Sequence, residues 1–110
     1  MAGRSLGEFE QIVLLAILRL GDGAYGVAIR EEIAARTGRG VAPGALYTTL
    51  ARLEDKGLLV ARSGAPTADR GGRAKRFVRV TTRGTRALAD AQQAYRSLLA
   101  GLHLPDFSHG

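Results

Sequence analysis

The chain has 110 residues, enough for one domain, and contains no cysteine, which excludes disulfides, thiol catalysis and cysteine-ligated zinc. Its longest strongly apolar run, residues 12–18, ends at Arg19 and is far shorter than the roughly 20 residues that cross a bilayer. Residues 1–9 lack the pattern of a secretory signal, so we expect a cytoplasmic protein without a membrane partner.

Positive charge is concentrated in one segment. The formal net charge is +6, and eight of the sixteen basic residues lie between positions 62 and 86, opposed there only by Asp69. A local basic surface indicates a polyanionic partner. These basic residues are Arg62, Arg70, Arg73, Lys75, Arg76, Arg79, Arg83 and Arg86.

Helical periodicity predicts three helices before Gly57. The first spans residues 6–20 and is apolar around most of its circumference, so we expect it to be buried on most sides. The second runs from residue 24 to about 37, after a Gly-Asp-Gly break. The third runs from Pro43 to Lys56, since proline suits a first helical turn and Gly57 ends the helix.

Two short apolar or β-branched stretches, 58–62 and 76–81, follow and predict a β-hairpin. Thr81 or Thr82 can cap a last helix that runs to about Leu102. The fold class is therefore mainly α with a small β-hairpin, in the order of a winged helix-turn-helix protein. We expect a DNA-binding domain at 1–81, a dimerisation helix at 82–102 and a disordered tail at 103–110.

The third helix has two distinct faces. Leu46, Leu50 and Leu53 share one face and must point into the core. The opposite face comprises Gly44, Thr48, Ala51 and Arg52, with Ala45, Tyr47 and Thr49 on its flanks. Such small and hydroxylated residues can approach a DNA major groove closely, where arginine pairs with guanine. The alternative is a packing face against another helix.

The basic hairpin supplies a second feature of the same kind. Arg62, Arg76 and Arg79 lie on its strands, and Arg70, Arg73 and Lys75 lie near its tip. This placement is suited to a phosphate backbone or a minor groove. A solvated basic loop is the alternative. Because two adjacent features agree, we expect double-stranded DNA as the partner. The predicted DNA-binding residues are Pro43, Gly44, Ala45, Tyr47, Thr48, Thr49, Arg52, Arg62, Arg70, Arg73, Lys75 and Arg76.

Three sequence blocks within residues 6–84 resemble the PadR family of bacterial transcriptional regulators. They are Ala-Tyr-Gly-Val-Ala-Ile at 24–29, the stretch 43–58 and Arg-Val-Thr-Thr-Arg-Gly at 79–84. The second block is the specific one, because its Gly-x-Leu-Tyr-x-x-Leu-x-x-Leu-Glu pattern is more restrictive than a generic helix-turn-helix.

The resemblance implies that residues 43–56 form the recognition helix, that Tyr47 helps hold the DNA backbone and that the hairpin is the wing. It also implies a homodimer that usually acts as a repressor. The chain departs from many members in having Thr48 where they have proline, which affects how the helix meets DNA. It also has room for a single C-terminal helix where many members have several, as in a short form of the family.

The last helix carries an apolar seam, with spacings of three, four, three and four residues. Such a seam needs a partner, and we expect a second copy in a two-fold dimer, although packing on the chain's own first helix is the alternative. A dimer would read half-sites separated by one helical turn, roughly 34 Å, or a multiple of it. The predicted dimer-interface residues are Leu88, Ala91, Tyr95, Leu98 and Leu102.

Other function classes are less well supported by the residues. His103, Asp106 and His109 lie in the expected tail, a poor place for a preorganised site, so we expect no metal, no cofactor and no catalysis. A sensor that binds a small aromatic molecule between subunits stays open as an alternative, with Tyr95 as its candidate contact. A winged helix used only for protein interaction would need an exposed apolar patch in place of the charged wing.

Overall fold

The computed structural model describes residues 6–63 and 75–105. Three helices, a two-stranded antiparallel sheet and a fourth helix follow one another along the chain, as the sequence predicts. A single turn of 3-10 helix at Gly21–Gly23 separates the first two helices. The elements are α1 (Glu8–Leu20), α2 (Gly26–Thr37), α3 (Pro43–Asp55), β1 (Leu59–Ser63), β2 (Arg76–Val80) and α4 (Thr82–Leu99).

The helix ends follow local chemistry. Glu10 accepts a hydrogen bond of 2.9 Å from the backbone N–H of Gly7, which satisfies a free donor at the start of α1. Gly38 ends α2 with a φ of 72°, a left-handed conformation that glycine adopts without strain. The Thr81 hydroxyl accepts a 3.0 Å hydrogen bond from the N–H of Gly84, so the predicted threonine cap of α4 is confirmed.

The core lies where α1, α2 and α3 meet the base of the hairpin. Its fully covered side chains come from all three helices and include Leu14, Ile29 and Leu46. The expectation that α1 is buried on most sides is only partly met, because Leu15 and Leu18 are 42% and 46% exposed. They follow the buried Leu14 and Ile17 directly in sequence, and the roughly 100° rotation per residue turns them away from the core.

The hairpin is joined to the helical body through β2. Leu59 pairs with Val80 and Ser63 with Arg76, which sets the register of the two strands. On its other edge, β2 receives an isolated antiparallel bridge between Tyr25 and Phe77. The segment before α2 therefore acts as a short third strand, which the sequence did not predict, and α2 begins at Gly26, two residues later than expected.

The last helix is seated on the body only through its first half. Gly84 and Leu88 are buried, whereas every residue from Gln93 to the end of α4 is exposed. The helix ends at Leu99, so the expected end near Leu102 is wrong. Ala100 leaves the helical conformation there, and Gly101 has a left-handed φ of 83°.

Candidate nucleic-acid interface

The face of α3 opposite its core leucines, here called the outer face, is exposed as predicted except at Thr49. Leu46, Leu50 and Leu53 are buried, which fixes the rotation of the helix on the core. The opposite face reaches solvent and is formed by Gly44, Thr48, Ala51 and Arg52, with Pro43 and Ala45 also exposed in the first turn. This face presents small and hydroxylated groups along most of the helix, and its one full positive charge is at Arg52.

Thr49 is not part of this surface. Its residue exposure is 6%, so the expectation that it lies on an exposed flank of the helix is wrong. Thr49 stands three residues after Leu46 and four before Leu53, spacings that place it within the same stripe as the core leucines. The buried arc of α3 is therefore one residue wider than the leucines alone indicate.

Tyr47 lies at the edge of the outer face of α3 and packs on α2. It is 54% exposed, and its hydroxyl lies directly over the backbone of Gly26. A Cβ atom at Gly26 would overlap Tyr47 Oη and lie 2.9 Å from Cζ, so only glycine leaves room for the ring in this position. The glycine in the first turn of α2 thus leaves the space that the ring of Tyr47 occupies.

Aromatic rings position two of the predicted wing cations. Arg62 and Phe77 are cross-strand partners, and the guanidinium lies 4.9 Å from the ring centroid. The ring of Tyr25 packs edge-on against Phe77 at 5.5 Å, and the Lys75 ammonium lies 4.4 Å from the Tyr25 centroid. These cation–π contacts restrict both side chains while leaving the charges unneutralised.

Sequence reasoning missed Tyr25 and Phe77 as the residues that position these cations. Neither aromatic residue belongs to a periodic apolar stripe, and each has a small or basic neighbour in the sequence. The local pattern therefore indicates no role for the two rings. The signal that could have found them is cross-strand pairing, since the residue opposite Arg62 is Phe77 once the register is known.

Arg76 is placed differently from the expectation of a free wing cation. Its Nη1 and Nη2 donate to Glu54 Oε2 and Oε1, each at 2.7 Å, in a bidentate ion pair. The hydrogen bond from Arg76 lowers the pKa of the Glu54 carboxyl, and the same bond raises the pKa of the guanidinium. The charge of Arg76 is therefore balanced by a neighbour on α3. Arg70 and Arg73 lie outside the described residues.

The C-terminal end of α3 is tied to α1. Lys56 Nζ donates to Glu10 Oε2 at 2.8 Å, and the Glu10 side chain is only 10% exposed. Burial by itself raises the pKa of Glu10, but the hydrogen bonds from Lys56 and from the Gly7 N–H outweigh it and leave that pKa below its ordinary value. The carboxylate is ionised at neutral pH and fixes the C-terminal end of α3 on α1.

The apolar seam of α4 divides into two parts. Leu88 is 5% exposed within the chain, so its assignment to a dimer interface is wrong, because it completes the chain's own core. Ala91 is half-buried, whereas Tyr95 and Leu98 project from the exposed half of the helix. Leu102 is exposed but lies beyond the end of α4, so it does not continue the helical seam.

Known proteins share both the sequence pattern and the fold. Residues 14–90 match the family described as the transcriptional regulator PadR-like family, over more than half of the chain. The protein belongs to this family. The resemblance of the three motif blocks to the PadR family is thereby confirmed. The segment of the PadR-like chain that matches the family begins within α1 and ends in the middle of α4.

Individual PadR-like relatives agree with this assignment. The transcriptional regulator Rv3488 of Mycobacterium tuberculosis is 39% identical over 74 residues, which are 67% of this chain and 64% of that protein. The chain thus spans just under two thirds of that relative's length. A PadR family transcription regulator from Clostridium difficile R20291 superposes with a TM-score of 0.66 at 26% identity, covering 84% of this chain and 92% of that one.

A protein with little sequence similarity to this chain also has the winged-helix fold. F93 from STIV, a winged-helix DNA-binding protein, has a TM-score of 0.67 at 18% identity, with coverage of 91% of this chain and all of that one. At this identity the likeness shows the fold alone. Within residues 6–63 and 75–105, no helix combines the length and apolarity that a membrane span requires.

Proposed function

We propose that this PadR-like protein is a sequence-specific regulator that binds double-stranded DNA as a homodimer and represses transcription. The observation that carries the proposal is the exposed face of α3, formed by small and hydroxylated side chains, next to a hairpin whose Arg62 and Lys75 form no ion pair within residues 6–63 and 75–105. A helix with this face fits the major groove, and the neighbouring cations fit the flanking phosphates.

The two parts of the surface have different tasks in this proposal. Thr48 and Arg52 lie where a groove-bound helix meets base edges, so they set sequence preference. Tyr47, Arg62 and Lys75 contact the backbone and set affinity for any sequence. Arg70 and Arg73 are expected to extend this backbone contact from the wing.

Dimerisation is supported by the apolar groups that α4 leaves uncovered. Leu98 is 78% exposed on the half of α4 that extends beyond the body, and Tyr95 lies one turn before it on the same side. Leu15 and Leu18 on α1 are exposed as well. A two-fold partner that covers these groups would present two copies of α3 to a pseudo-palindromic site, and its occupancy at a promoter would block transcription.

Fluorescence anisotropy with duplex DNA tests the function directly. The duplexes are the DNA upstream of the protein's own gene and a scrambled version, each titrated across a salt series. We expect tight binding to the first duplex alone, weakening steeply with salt because phosphate contacts release counterions. Equal binding to both duplexes, together with selection from a random duplex pool that recovers no consensus, would contradict the proposal.

Three variants test whether Thr48 and Arg52 determine the sequence preference of binding. Thr48→Ala and Arg52→Ala should change base preference in a substitution scan of the selected site, since each removes a group from the outer face of α3. Thr49→Val is the matched control, because it alters a neighbouring threonine that is buried. A base preference unchanged by Arg52→Ala would remove Arg52 from the reading set.

A further inference from the structure

The ion pair between Glu54 and Arg76 links the recognition helix to the wing. Glu54 lies in the last turn of α3, and Arg76 is the first residue of β2, 22 positions later. Both carboxylate oxygens accept from separate nitrogens of the guanidinium at 2.7 Å, the geometry that makes an arginine–carboxylate pair directional. We call this pair the clasp.

The clasp is a hydrogen-bonded anchor near the outer end of the hairpin, where the other described contact to the body is that of the Lys75 ammonium, 4.4 Å from the Tyr25 ring centroid. The base of β2 is fixed by a 2.9 Å hydrogen bond from Val78 N–H to the Ala24 carbonyl and by the packing of Phe77 on Tyr25. Arg76 lies one step farther out, at the end of the strand pair opposite Ser63. Among residues 6–63 and 75–105, the clasp is the only hydrogen-bonded side-chain link between α3 and the hairpin.

The paired charges of Arg76 and Glu54 do not fit a direct contact between Arg76 and a DNA phosphate. Two donors of Arg76 are already used, and the Glu54 carboxylate beside them would repel a phosphate oxygen. The Glu54 side chain is 23% exposed and that of Arg76 is 59% exposed, so the carboxylate is covered on the side of the body while the guanidinium bridges outward. An acidic residue next to a DNA-binding surface calls for a structural reason, and the bridge supplies one.

We propose that the clasp sets the position of the wing relative to the recognition helix, so that Glu54 and Arg76 are positioning residues for DNA binding and Arg76 is not a phosphate ligand. The inference rests on the proposed function. A helix in the groove and a wing on the flanking backbone bind together only if their separation matches the DNA, and a fixed separation saves the entropy of ordering the wing on binding. Arg62 and Lys75 are the cations delivered in this way.

A charge-swap cycle separates this role from a direct contact. Glu54→Arg adds positive charge but places two cations together, so we expect it to weaken binding to the selected duplex about threefold to tenfold, as Arg76→Glu also does. The double variant Glu54→Arg/Arg76→Glu restores an ion pair of reversed polarity and should return the affinity to within about twofold of the parent. Tighter binding by Glu54→Arg, or no recovery in the double variant, would overturn the proposal.

The salt dependence of DNA binding distinguishes a positioning role of Arg76 from a direct phosphate contact. Arg76→Gln should weaken binding without changing the slope of log affinity against log salt, whereas Arg62→Gln, the matched control, should reduce that slope by about 1 as a phosphate contact is lost. A slope reduced by about 1 in Arg76→Gln would show a phosphate ligand and refute the positioning role.

Hydrogen exchange without DNA separates failure of the clasp from failure of the proposed function. We expect the amides of Arg62 and Phe77, the hydrogen-bonded strand pair nearest the clasp, to exchange faster in the Glu54→Arg variant and to regain protection in the double variant. If this pattern holds while the parent protein binds no duplex, the proposed function fails and the positioning of the wing stands. Exchange that is the same in all variants would show that the clasp does not hold the wing.

Discussion

Replacing Gly84 with alanine tests how closely the start of α4 is seated on the hairpin. A Cβ atom at this position would overlap the carbonyl oxygen of Leu58 and lie 2.8 Å from Cγ1 of Val80. The obstructing oxygen belongs to backbone that also accepts a 3.0 Å hydrogen bond from Thr81 N–H, so it cannot move without loss of that bond. The added methyl group must therefore displace α4 from the core.

The expected cost follows from two opposing effects. Overpacking a close backbone contact costs up to about 3 kcal/mol, and alanine in place of glycine in a helix returns at most about 1 kcal/mol. The net loss is about 2 kcal/mol in the free energy of unfolding, equivalent to a Tm lower by about 10 °C for a domain of this size. The assay is thermal and urea denaturation followed by circular dichroism at one fixed protein concentration, because any dimerisation makes Tm concentration-dependent.

Gly44→Ala is the matched control for this experiment. Gly44 also lies in the first turn of a helix, but no atom lies within 4 Å of the Cβ that alanine would add. We expect its stability to be unchanged or raised by up to about 1 kcal/mol. Equal stability of the Gly84→Ala variant and the parent protein would refute the close seating of α4, and so would an equal change in both variants.

Three further substitutions have measurable expected outcomes. Glu10→Gln should lower the free energy of unfolding by about 1–2 kcal/mol at pH 7. Because the pKa of Glu10 is lowered by folding, this difference should shrink as the pH falls through the range where carboxylates protonate, and a difference constant from pH 7 to pH 3 would contradict the ion pair with Lys56. Leu88→Ala should lower Tm at every protein concentration, with a loss of about 2–5 kcal/mol from the core. Leu98→Glu should leave the fold intact and convert dimer to monomer in sedimentation experiments, and a parent protein that sediments as a monomer would refute the dimer.

The helical elements could be predicted because their signals are local. Leu46, Leu50 and Leu53 determine the rotation of α3 from spacing alone, and Pro43 and Gly57 mark its limits. Thr49 was misplaced because the spacing of large apolar residues gives the centre of a buried stripe but not its width. A threonine within the stripe is covered by its neighbours even though its hydroxyl suggests an exposed position.

The contacts that shape the interface could not be predicted because they join distant segments. Nothing near Glu54 indicates that its partner is Arg76, and an acidic residue at the end of a helix is ordinarily a solvated side chain. The same limit applies to Leu88, whose periodicity fits both a dimer seam and an intramolecular contact. Only the way α4 packs on the body decides between them.

The helix α3, which we propose as the recognition helix, is supported at three points, and each support comes from a different element. Gly26 on α2 accommodates Tyr47, Glu10 on α1 holds Lys56, and the clasp joins the last turn of α3 to β2. None of these supports uses a hydrogen bond from the side chain of Thr48 or Arg52, although the charge of Arg52 also favours the ionised form of Glu10. Thr48 is therefore the residue of the outer face that is freest to vary without loss of the fold. Changes at the supports should therefore alter affinity for all duplexes, whereas changes on the outer face should alter which duplex is preferred. If α3 reads DNA as we propose, such a separation would let one stable scaffold acquire new operator sequences through substitutions confined to one face of one helix.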